Sequence, residues 1–297
     1  MNKKFQENLI SNVIRIAGSS SIIFILLIFL FLLREGLPAL TEVAPKDLFN
    51  TRWYPIEELF GLLPLLSGSL IVTLFSILIA LPLGVGTAIY IGEIAPKRVN
   101  EILKPTIEIL AGIPSVVLGF IGILVLSPFM RETFNLPTGL TAFTGAFLLA
   151  LISIPTIVSI AEDALYAVPK TYRDAAYALG ASQWQVIWGV VVPAARTGIL
   201  TAVMLGVGRS LGETMAVMMV TGNAPTMFSG LNSFISPIRT MTATIASEMG
   251  EVATGSTHYH VLFFIGILLF FFSLIINISS ANTIKKRTAK SRAQVVS

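Results

Sequence analysis

The chain contains no cysteine, which excludes a disulfide framework, a thiolate metal site and a thiol redox centre. Charge is nearly as scarce, since only 12% of residues are Asp, Glu, Lys or Arg. That is too few to solvate the surface of a water-soluble domain. Histidine occurs twice, and no paired carboxylates, Ser-His-Asp set or metal-ligand spacing stands out in the loops, so catalysis is not indicated. The phosphate cradle G-x-x-x-x-G-K-[ST] is missing as well. Any ATP chemistry would therefore belong to another polypeptide.

What the chain does have is apolar length: 54% hydrophobic residues and a mean hydropathy of +0.82 over 297 residues. Crossing a hydrocarbon layer roughly 30 Å thick takes about 20 apolar residues in a helix, which satisfies its own backbone hydrogen bonds. Runs near residues 14–34, 64–92, 106–130, 138–161, 197–222 and 261–283 qualify, predicting an all-α polytopic bundle of six membrane-spanning helices. The first run is too long for a signal sequence and lacks a prompt small-residue cleavage site, so it reads as a retained helix. Pro38, Pro45, Pro55 and Pro64 punctuate the first long loop, and Pro96 and Pro105 bracket the second. Pro82, Pro114 and Pro155 sit inside apolar runs, as kinks do in membrane helices. The layout is an amino-terminal part (1–63), a core (64–283) with a polar connection at 162–196, and a basic tail (284–297).

The net charge of +4 gathers at the termini and in short loops, the pattern of membrane topology and not of nucleic-acid binding. Lys3, Lys4, Arg15, Lys97, Arg98, Lys104, Lys170, Arg173, Arg196 and the basic tail fall on one side. Arg34, Lys46, Arg52, Arg131 and Arg239 fall on the other. Both termini are accordingly expected in the cytoplasm.

Arg209 fits neither side. Counted from Thr197 it lies about 18 Å along the fifth helix, near mid-membrane, with Glu213 one turn later. A guanidinium there offers paired charge-assisted hydrogen bonds to an oxyanion. Glu213 is expected to pair with Arg209 when substrate is absent, and Ser210 and Thr214 to add hydroxyl donors. A purely structural Arg209–Glu213 pair locking helices together is the alternative. GVGRSLG at 206–212 is no dinucleotide fingerprint, because its third glycine falls late and no strand precedes it. Gly208 and Gly212 read instead as a small-residue surface for close helix contact. Glu108 reads as a snorkelling boundary residue, His258 and His260 as part of a solvated loop, and Phe270, Phe271 and Phe272 as lipid-facing or packing surface.

The connection from Asp174 to Pro193, DAAYALGASQWQVIWGVVVP, predicts a short helix, a break at Gly180 and a second helix over Ala181–Gly189 with Trp184 and Trp188 on one face. Such a knob either docks into a partner groove or packs on its own bundle. Its spacing resembles the signature loop of ABC importer permeases: Glu-Ala-Ala, three residues, Gly, nine residues, Ile, any residue, Leu-Pro. Asp174, Ala175 and Ala176 stand for the triplet, Gly180 for the glycine, and Val190, Val192 and Pro193 for the closing positions. The departures are Asp for Glu and Val for Ile and Leu.

The segments FGLLPLLSGSLIVT at 60–73, GEIAP at 92–96, ILAGIPSVVLGF at 109–120 and GRSLGETMAVMMVTGN at 208–223 resemble the permeases of phosphate importers of the PstC type. The resemblance covers most of residues 52–223 and implies a type I ABC importer permease fold. It further implies a second homologous permease, two ATPase subunits that hold ATP and magnesium and engage the 174–193 loop as a coupling helix, and an extracytoplasmic phosphate-binding protein. No cofactor is expected on this chain. Another oxyanion such as sulfate or molybdate, or a self-contained ion-driven transporter or channel, remains open on the residues alone.

Overall fold

The computed structural model describes residues 3–296, with only the backbone described for residues 3–9, 231–232 and 280–296. Apart from one antiparallel hairpin, β1 (Trp53–Tyr54) and β2 (Leu59–Phe60), its regular structure is helical. Six helical spans among the described residues are long and apolar enough to cross a membrane: Ile10–Glu42, Leu63–Ile94, Ser115–Thr133, Ala142–Tyr166, Gln183–Gly212 and Thr257–Ser279. The elements that build the bundle are α1 (Lys3–Gly36), α2 (Leu63–Ile89), α3 (Lys97–Gly112), α4 (Ser115–Ile121), α5 (Ser127–Thr133) and α6 (Ala142–Tyr166). They continue with α7 (Lys170–Ala178), α8 (Gln183–Val186), α9 (Val192–Gly212), α10 (Met215–Val220), α11 (Met241–Glu248) and α12 (Thr257–Val296). The basic segment 284–297 thus extends α12 as helix as far as Val296.

Two crossings differ from the sequence expectation. The third was expected as one run over 106–130, but Ile113 and Pro114 are extended and separate α3 from α4. Pro105, expected to bracket a loop, lies inside α3, while Pro114 marks the break. The fifth was expected to continue to residue 222, but α9 ends at Gly212 and α10 begins at Met215. Apolarity persists through both breaks, so hydropathy alone does not reveal them. Between α4 and α5, and between α8 and α9, five-residue π turns at 122–126 and 187–191 keep the axis continuous.

Helix α6 is the most enclosed of the spans and packs on α2, α3 and α9. Ile157, fully buried, wedges between two glycines. A Cβ at Gly84 of α2 would fall 2.8 Å from its Cγ2, and one at Gly206 of α9 would fall 2.7 Å from its Cγ1. Within a bilayer, burying apolar area against protein instead of lipid gains little, so close approach over small residues drives the association. The half-helices α4 and α10 pack the same way, since a Cβ at Gly119 would meet Met219 Sδ at 2.8 Å and one at Gly122 would meet Val220 Cγ1 at 2.7 Å. On the rim, Phe29 of α1 stacks on Phe270 of α12 at 4.7 Å and meets Phe271 edge-on at 6.0 Å. The aromatic run of the last helix therefore serves helix packing.

At the end that carries the hairpin, His258 and His260 do not lie in a solvated loop. Both open α12 and are partly buried: His258 Nε2 contacts Glu248 Oε2 and His260 Nδ1 contacts Glu42 Oε1, each at 2.8 Å. Glu248 also takes Arg239 Nη1 at 2.7 Å and the Trp53 indole N–H at 3.2 Å. Burial pushes the Glu248 carboxyl up, but the His258 hydrogen bond, the Arg239 charge and the Trp53 donor together hold it below its usual range. One carboxylate thereby joins the hairpin, α11 and α12.

Candidate functional site

The fifth crossing places the sequence-predicted residues, and its break decides what each can reach. Past Gly212 the backbone of Glu213 is extended, which frees the first amides of α10. Glu213 Oε1 accepts from the Thr214 N–H at 3.1 Å and the Ala216 N–H at 3.3 Å, so its carboxylate caps the new helix. The Glu213 carbonyl accepts the Thr242 hydroxyl at 3.0 Å, and the Thr214 hydroxyl donates to the Gly212 carbonyl at 3.2 Å. Four of the backbone groups released by the break thus find side-chain partners, as membrane burial favours.

Arg209 does not pair with Glu213. Among the described residues its guanidinium makes one hydrogen bond, from Nη1 to Thr156 Oγ1 at 3.3 Å, and no ion pair. The expected pair fails for a geometric reason: the helix stops before Glu213, so the one-turn spacing no longer brings the two side chains together. Arg209 is exposed on the bundle surface, beside the exposed glycines Gly208 and Gly212. A Cβ at either glycine would meet nothing within 4 Å. Their small-residue surface is therefore open in this chain and makes none of its helix contacts.

Ser210 is one residue from Arg209 but about 100° around the helix, and it points into the bundle, 3% exposed. Its hydroxyl lies 3.0 Å from Ser76 Oγ on α2 and 2.8 Å from Ser153 Oγ on α6. Ser76 Oγ in turn lies 2.8 Å from the Thr73 carbonyl. Ser76, with one hydroxyl proton, donates either to that carbonyl or to Ser210, so the three hydroxyls form one linked network. Ser210 thus ties three crossings, its hydroxyl inside the bundle while Arg209 is exposed. Thr156, Ser76 and Ser153 were not singled out from sequence. The available signal was the set of hydroxyls embedded in otherwise apolar helices.

The polar connection forms as expected up to its second half. Helix α7 ends in a Schellman turn, with the Gly180 N–H on the Tyr177 carbonyl at 2.9 Å and the Ala181 N–H on the Ala176 carbonyl at 3.1 Å. Gly180 sits at φ +82°, which explains a glycine at this position. Ser182 then caps α8 reciprocally with Gln185. The second helix does not stop near Gly189; it runs through the π turn into α9, so the loop and the fifth crossing are one rod. Asp174, Ala175, Gly180 and Pro193 are exposed, Val190 and Val192 half-buried, and Ala176 packs onto the core around Ile91 and Val186. Tyr172, Tyr177, Leu179, Trp184 and Trp188 leave a bare aromatic surface. Glu108 lines a small cleft with Lys104 and Glu162, where Lys104 Nζ meets Glu162 Oε2 at 2.7 Å.

Among solved structures the chain superposes on a bacterial ABC transporter that imports the acidic polysaccharide alginate, with a TM-score of 0.60, 13% identity and coverage of 96% of this chain and 99% of that one. It also matches an inward-facing MetNI methionine ABC transporter, with a TM-score of 0.56, 20% identity and coverage of 76% and 94%. At these identities the likeness is one of fold.

Residues 80–288 match the family described as binding-protein-dependent transport system inner membrane component, and the chain belongs to that family. It is 41% identical over 236 residues to the probable ABC transporter permease protein YqgH of Bacillus subtilis, covering 78% of this chain and 75% of the relative. It is 36% identical over 257 residues to the phosphate transport system permease protein PstC of Mesorhizobium japonicum, covering 80% and 77%. The chain is thus a multi-pass membrane transport component and not itself an enzyme.

Proposed function

We propose that this chain is a permease subunit of an ATP-driven importer of inorganic phosphate. The observation that carries the reading is Arg209, an exposed guanidinium in a spanning helix that this chain leaves with a single hydrogen bond. An unpaired charge facing lipid is strongly unfavourable, so this face needs cover by protein and water. A second homologous permease provides the cover, packing over the open Gly208 and Gly212 surface and enclosing Arg209 in a shared pathway. There the guanidinium forks onto phosphate, which carries the charge and the oxygens that such a donor matches. PstC relatives at 32–36% identity support phosphate as the cargo.

Both termini and the 162–196 connection lie in the cytoplasm, as the clustering of Lys and Arg supports. Of two ATPase chains, one docks on the exposed, largely aromatic surface around Gly180. They hold the ATP and magnesium, and this chain binds no cofactor of its own. A phosphate-binding protein delivers cargo to the hairpin end. The test is reconstitution with the partner permease, ATPase and binding protein, followed by labelled phosphate uptake with sulfate as competitor. ATP-dependent uptake that ignores sulfate supports the reading; carriage of sulfate instead moves the cargo, and uptake without the ATPase refutes the coupled mechanism.

A further inference from the structure

Crossing two is not joined to the 162–196 connection by the chain, yet one side chain fastens them. Arg173 of α7 is 18% exposed and its partner Glu93 9%. Glu93 lies in the five-residue π turn, Tyr90–Ile94, that ends the second crossing. Arg173 Nη2 donates to Glu93 Oε1 at 2.5 Å and Nε donates to Oε2 at 3.2 Å, a two-pronged contact. The same guanidinium donates to the Val168 carbonyl at 2.6 Å and the Leu165 carbonyl at 3.0 Å, closing the end of α6. Gln183 of α8 adds a bond from Nε2 to the Glu93 carbonyl at 3.0 Å, and Asn100 of α3 donates to the Ile91 carbonyl at 3.4 Å. Beneath these bonds Ile89 and Ile91 pack in one cluster with Val186 and Ile187.

We propose that the Arg173–Glu93 contact is the positioning tie through which displacement of the cytoplasmic connection is passed to the second crossing. The connection already moves with crossings four and five, because it is continuous with them. Crossing two can follow only through noncovalent contacts, and among the described residues this is the one that is charged, two-pronged and part-buried. A π turn closes the helix at that point, a feature common where helices carry function. The guanidinium holds Glu93 and two carbonyls at once, which a lysine ammonium does not reproduce in a fixed plane. The inference rests on the reading of this chain as part of an ATP-driven importer.

The experiment measures phosphate taken up per ATP hydrolysed by the full reconstituted transporter, together with ATPase co-purification, for wild type, R173Q, R173K, E93Q and the double variant E93Q/R173Q. Each single variant should keep the ATPase chains bound and hydrolysis running while uptake per ATP falls roughly tenfold, with turnover reduced and the phosphate KM unchanged. The double variant should be no worse than either single one, as for two halves of one contact. Unchanged uptake per ATP in E93Q and R173Q overturns the tie, as does a double variant whose losses multiply. Loss of the ATPase chains from the singles also overturns it, because the pair would then only hold the fold. Wild-type uptake that needs no ATP refutes instead the importer reading on which the tie depends.

Discussion

Two arginines on the bundle, Arg173 at the polar 162–196 connection and Arg209 in the fifth crossing, are treated in opposite ways by the fold. Arg173 is nearly buried and spends its donors on a carboxylate and two helix-end carbonyls. Arg209 is exposed and has one threonine hydroxyl. A guanidinium that gives four hydrogen bonds to its own chain fastens elements together, whereas one left open inside a membrane is available to something the chain does not contain. On the two proposals above, the contrast separates a mechanical role from a binding role for the same residue type.

The contrast breaks most readily at Arg209. Arg209→Gln should lower phosphate uptake roughly a hundredfold, the value of a lost pair of charged hydrogen bonds, while assembly and ATP hydrolysis persist. The loss should appear in the concentration dependence of labelled uptake, unlike the turnover loss expected of Arg173 variants. Normal uptake would return Arg209 to a structural role. Next in size, Gly180→Val forces a branched residue into φ +82°, a strain on the order of 1–3 kcal/mol, and should reduce ATPase co-purification about tenfold. Full assembly with normal coupling would remove the docking role from this loop.

Glu213 sharpens the comparison further. As a helix cap it should tolerate Gln, which keeps an acceptor oxygen, whereas Ala should destabilise the protein by about 1 kcal/mol in thermal unfolding. Equal damage from both substitutions would indicate that its charge, and not its capping, is what matters. The smallest effect belongs to the hairpin end. The Glu248 pKa is lowered from 4.5 in the folded chain, so the stability it contributes is complete above that value and is lost as pH falls through the folded value. Trp53 fluorescence on acidification should report loosening of the hairpin only below the ordinary carboxylate range, and E248Q should remove the dependence.

Much of the site was legible in sequence because it depends on local rules. Gly180 ends α7 as the helix-then-glycine pattern requires, and the spacing from Asp174 to Pro193 survives as an exposed elbow. Arg209 stands out in any hydropathy reading of its segment. The Arg209–Glu213 pair misled because the one-turn rule assumes an unbroken helix. The residue types around 213 do not announce that the helix stops; what makes the stop affordable is capping by Glu213 and a bond from Thr242, 29 positions away in the chain. His258 and His260 were misread for a related reason, since Glu248 and Glu42 reach them only after folding.

Composition and periodicity alone determined that this protein lives in a bilayer, crosses it six times and carries a cation within its fifth crossing, because desolvation acts on each segment wherever its neighbours are. Which face of that crossing is open was decided only in three dimensions. Adjacent residues Arg209 and Ser210 diverge because α2 and α6 bring Ser76 and Ser153 to one side of the helix and leave the other bare. Glu93 met Arg173 by the same route, through packing between segments 80 residues apart. No local pattern encodes such contacts; they exist because close-packed helices allow few arrangements in which most buried polar groups find a partner.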